Sequence, residues 1–113
     1  MDVIETLLRE GFSFRTFAAY PRHVGVEKYK CAALLEPTPD GGWKQFSSAG
    51  LLLDGGEIAL LVERRGQLFF VYKTTEVPAV DELMENYRRF IQELRAAFDA
   101  ASPEQEQPTP SGP

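Results

Sequence analysis

Residues 51–72 read LLLDGGEIALLVERRGQLFFVY. Three apolar runs, 51–53, 58–62 and 68–72, are separated by Asp54-Gly55-Gly56 and by Arg65-Gly66. Such Gly-containing separators are hairpin turns, so the stretch predicts consecutive antiparallel strands. Side chains alternate between the two faces of a strand. Leu52, Ile58, Leu60, Phe69 and Val71 therefore share one face, and Leu51, Leu53, Leu61, Leu68 and Phe70 share the other. A sheet that is apolar on both faces has to be covered on both.

Upstream, residues 12–20 alternate like a strand, with Phe12, Phe14, Ala18 and Tyr20 on one side and Ser13, Arg15, Phe17 and Ala19 on the other. Pro21 and Gly25 bound an expected loop. A second strand follows over 28–36, and Pro37 to Gly42 has turn chemistry. Trp43 opens a third strand running to about Leu53, in which Gly50 marks a bulge or a close backbone approach. Strands four and five occupy 57–64 and 67–75.

Helices are predicted at both ends. Residues 2–10 carry a stripe of Val3, Ile4, Leu7 and Leu8, with Asp2 placed to cap and Gly11 placed to terminate. From Pro78 onward, Val80, Leu83, Met84, Tyr87, Phe90, Ile91, Leu94 and Phe98 recur at helical spacing. The expected fold is α+β: a five-stranded antiparallel meander sheet with a short N-terminal helix and a long C-terminal amphipathic helix. Two helices can cover roughly one sheet face. The second face asks for a partner, another layer or a ligand.

At 113 residues the chain has room for one domain, expected over 1–101. The last residues, SPEQEQPTPSGP, hold four prolines and no large apolar side chain, so 102–113 are expected to form a disordered tail. Pro108-Thr109-Pro110 does not have the PxxP spacing of a recognition motif. The net charge of −5 argues against general affinity for nucleic acid or an anionic membrane. One cysteine excludes an intrachain disulfide framework or a Cys-rich zinc site. The acidic N-terminus does not read as a signal peptide, and no run approaches the ~20 apolar residues of a membrane helix. A cytoplasmic protein is the expectation.

Candidate chemistry is sparse. His23 is the only histidine and Cys31 the only cysteine. If the first two strands pair, Lys30 and His23 could activate Cys31. Asp54 and Glu57 are too few ligands for a calcium loop. No nucleophile elbow or phosphate loop is present. No catalytic residue, metal or cofactor is assigned, and an enzyme is not favoured. The stretch 12–30 stands out because aromatic side chains interleave with cations. Phe14, Arg15, Phe17, Tyr20, Arg22, His23, Lys28, Tyr29 and Lys30 form its candidate binding set. The leading expectation is a protein-interaction or binding module, homodimeric through its sheet or helix face. The alternatives are single-stranded nucleic-acid binding through 12–30, where rings stack on bases, and a chaperone-like protein or carrier of apolar small ligands.

Overall fold

The computed structural model describes residues 2–101. The elements in chain order are α1 (Val3–Arg9), β1 (Ser13–Phe17), β2 (Tyr20–Lys28), β3 (Cys31–Pro37), β4 (Trp43–Gln45), β5 (Gly50–Leu52), β6 (Ile58–Arg64), β7 (Gln67–Tyr72), β8 (Thr75–Pro78) and α2 (Asp81–Ala101). All strands join one antiparallel sheet in the order β1-β2-β3-β5-β6-β7-β8, with β4 also paired to β3. The sheet curls into a half-barrel. Class, meander order and terminal helices follow the sequence reading. The strand number does not: among the described residues the sheet has eight strands, not five.

Each extra strand has a physical cause. Residues 12–20 are not one strand, because Ala18 and Ala19 turn the chain and Phe17 pairs with Tyr20. The expected loop from Pro21 to Gly25 is part of β2. Pro21 sits at the start of that strand, ahead of its first pair with β3 at Val24↔Leu35, where a missing N–H costs little. Gly25 is there for space: a Cβ on it would lie 2.2 Å from Cε1 of the Phe17 ring. β2 then reverses into β3 through Tyr29 and Lys30, both in the left-handed region at φ 56° and 63°.

The third expected strand is interrupted. Trp43–Gln45 and Gly50–Leu52 both run beside β3, and residues 46–49 leave the ladder between them. The amides of Phe46 and Ser47 both donate to the Leu34 carbonyl, while Ser47 Oγ accepts from the Leu34 amide at 2.9 Å. The fifth expected strand, 67–75, stops at Tyr72, because the chain turns at Lys73 (φ 54°) and Thr74 into a further strand, β8. Pro78 belongs to β8, opposite Phe69, so α2 starts at Asp81 and leaves Val80 exposed.

Both helices lie on one face of the sheet. In α1, Asp2 accepts from the Ile4 amide at 3.2 Å, and Gly11 follows the helix at φ 96°. Its buried stripe is Val3, Thr6 and Leu7; Leu8 is exposed. One core cluster joins α1 to Val26, Cys31, Ala33 and Leu35 of the sheet and to Phe90, Leu94, Ala97 and Ala101 of α2. A second joins Leu51, Ala59 and Phe70 to Met84, with Leu53, Leu61, Leu83 and Tyr87 packed around it. Leu51, Leu53, Leu61 and Phe70 therefore face the helix. Leu68 was expected with them but is exposed, because it lies at the tip of the β6–β7 hairpin where every residue from Glu63 to Leu68 is open to solvent.

Candidate functional site

The register fixes what lies on the opposite, outer face. Gly50 pairs with Leu60, Leu52 with Ile58, Leu60 with Val71 and Val62 with Phe69. These positions alternate with the helix-facing ones, so Leu52, Ile58, Leu60, Val62, Phe69 and Val71 point away from both helices. Leu60 is 43% exposed. The Ala18-Ala19 hairpin end brings Phe17 and Tyr20 beside this surface. Together with Leu34, Ile58, Leu60 and Val71 they line an open groove of about 620 Å³.

Aromatic rings continue the surface at one end. The His23 ring lies 4.3 Å from Phe46 and 5.5 Å from Tyr20, and Tyr20 is 5.9 Å from Phe46. Phe46 is 48% and Tyr20 41% exposed. His23 Nε2 stands 3.6 Å from Glu36, whose other oxygen is 3.2 Å from Lys44 Nζ. Neither imidazole nitrogen has a hydrogen-bond partner among the described residues. At the other end Glu57 and Lys73 line the groove, and Arg15 and Asp54 line a pocket that adjoins it at Phe17, Ala18 and Gly56. Arg15 lies over the Phe17 ring at 5.7 Å and pairs with Glu27 at 3.8 Å. The rim is thus of mixed charge around an apolar floor.

The candidate residues of 12–30 divide between the two faces. Arg15, Phe17, Tyr20 and His23 come together on the outer one. Phe14 packs against the core. Arg22 and Lys30 are exposed. Lys28 and Tyr29 turn toward α2, where Lys28 Nζ is 2.6 Å and Tyr29 Oη 2.8 Å from the two oxygens of Glu93. Lys28 also donates to the Glu10 carbonyl and lies 5.1 Å over the Phe12 ring. Burial opposes the charge on Glu93, but the hydrogen bonds from Lys28 and Tyr29 outweigh it and hold the carboxyl below its usual range. The hydrogen bond to Glu93 holds the Lys28 ammonium above its own, against the cost of burial.

Cys31 is fully buried on the helix-facing side, and burial pushes its thiol up to about 11. His23 is on the outer side, so the sheet stands between them. Among the described residues no three His, Cys, Asp or Glu gather as metal ligands. No helix among them is long and apolar enough to cross a membrane. Three members of the outer surface escaped the sequence reading, the first being Val62, which was assigned to neither face. Phe46 falls in the break between β4 and β5, and Leu34 was not singled out in its strand. The only signal for Leu34 was that it alternates with Ala33 and Leu35, which point inward. Comparison with protein-family models, with curated proteins and with solved structures finds no match.

Proposed function

We propose that this protein is an interaction module that works through the outer face of its sheet, and that a second copy of the chain is what covers it. One observation carries the reading: both helices lie on the same side, and among the described residues no layer covers the apolar strand residues on the other side. Contiguous apolar surface of this kind marks an interaction site. A two-fold pair hides the same patch on both subunits at once, and it is the commonest closed assembly.

The sheet edges favour stacking over lateral growth. β1 carries a register shift between Arg15 and Phe17, and β8 is four residues long and ends at Pro78. Bulges, charges, prolines and short strands all blunt an edge. Sedimentation of the purified protein over a micromolar concentration series tests the reading. A dimer that becomes a folded monomer on Leu60→Glu supports it. A wild-type monomer across the series removes it.

The groove volume favours a second reading, an apolar small-ligand carrier, because such pockets occupy about 300–1,000 Å³. A monomer that binds an apolar fluorescent probe with one-to-one stoichiometry, and loses it on Leu60→Glu, would move the conclusion there. Nucleic-acid binding has less support. The aromatic and basic residues of 12–30 do not share one surface, and two of them are engaged with Glu93.

A further inference from the structure

We infer that a second groove, between β4 and the last turns of α2, is a docking site for residues 102–113 of the same chain. This groove is independent of the outer face, since it lies on the helix side of the sheet. It measures about 600 Å³ and is walled by Trp43 on one side and by Tyr87, Ile91 and Phe98 on the other. Arg95 stands at its rim beside one carboxylate, Asp99.

The chemistry of 102–113 matches these walls. The segment contains Pro103, Pro108, Pro110 and Pro113, the acids Glu104 and Glu106, and no cation. Aromatic-lined grooves bind proline-rich segments by stacking on preformed, low-entropy chain. Pro110-Ser111-Gly112-Pro113 has the PxxP spacing that Pro108-Thr109-Pro110 lacks. The two glutamates complement Arg95.

Position and length agree with the chemistry. The described part of α2 runs to Ala101, one turn beyond Phe98 in the groove wall, so the segment that follows begins at the groove's own end. From Phe98 back to Tyr87 the wall is about 16 Å long at helical rise. Glu104 to Pro110 spans about 20 Å at the rise of a polyproline helix. Tethering gives the segment an effective concentration in the millimolar range, so weak contacts suffice.

Trp43 is the only tryptophan and reports on the groove directly. The test is acrylamide quenching of its fluorescence in the full chain. One variant carries Glu104→Lys with Glu106→Lys; another carries Pro108→Gly with Pro110→Gly. Circular dichroism checks that each variant keeps the fold. Docking predicts that quenching of Trp43 rises about two-fold in both variants, independently of protein concentration. Unchanged quenching in both overturns the inference. Protection that grows with protein concentration also overturns it, because the occupant would then come from another copy.

Discussion

Gly50 is the residue with the least freedom to change. A Cβ there would lie 2.3 Å from the Ala59 carbonyl oxygen and 2.8 Å from the Ile58 side chain. The carbonyl belongs to the β5–β6 ladder and cannot step aside. Gly50→Ala should therefore lower stability by about 3 kcal/mol, read as a shift in the urea midpoint. Gly25→Ala meets the half-buried Phe17 ring at the sheet edge, which can swing out, and should cost about 1 kcal/mol. Equal losses at the two glycines would contradict this contrast. Cys31 offers a second test at this scale. Its thiol is buried and poorly ionised, so a disulfide reagent near neutral pH should leave the native protein unlabelled and label it fully in guanidinium chloride. Rapid native labelling would mean that the core around Cys31 opens easily.

At the scale of elements, the β2–β3 turn is pinned to α2 by Lys28, Tyr29 and Glu93. The Glu93 carboxyl is held below its usual range, so its stabilising effect is complete above the ordinary glutamate value and is lost as pH falls through the folded-state value. Lys28 behaves in the opposite sense: its contribution is complete below the ordinary lysine value and is lost as pH rises through its raised folded-state value. Glu93→Gln should cost about 1–2 kcal/mol at neutral pH, by urea unfolding. The gap between variant and wild type should narrow toward about pH 3, below the ordinary glutamate value near 4.3. A gap that stays constant with pH would assign the loss to packing rather than to charge.

Turn chemistry also sets how much of the element pattern was legible. Asp54-Gly55-Gly56 and Arg65-Gly66 announced their hairpins, and Gly56 and Gly66 do adopt positive φ. Ala18-Ala19, Tyr29-Lys30 and Lys73-Thr74 reverse the chain without glycine, asparagine or aspartate. Tyr29, Lys30 and Lys73 take left-handed conformations that their side chains do not advertise. Three unmarked turns explain most of the missing strands. Pro21 and Gly25 misled in the other direction, because a breaker at a strand start and a glycine under an aromatic ring look the same in sequence as a loop.

For the whole molecule, the division of residues 51–72 into two apolar faces was legible from alternation alone. Leu51, Leu53, Leu61 and Phe70 face the helix, and Leu52, Ile58, Leu60, Phe69 and Val71 face away, as the pattern requires. Which face the helices take was not legible, since both are equally apolar. The candidate set within 12–30 was half legible for the same reason. Alternation separates neighbours, but the bulge in β1 and the turn at Ala18-Ala19 reset it, and they bring Tyr20 to the side of Phe17.

The order of elements has a consequence for synthesis. All the strands emerge from the ribosome before α2, the helix that seals their inner side. Until Met84, Phe90 and Leu94 arrive, the nascent hairpins hold their future interior open, and α1 lacks the helix it will rest on. Local pairing of neighbouring strands is quick, whereas this closure joins elements far apart in the sequence. The helix that leaves the ribosome after the strands is thus also the element that shields the young sheet from its neighbours.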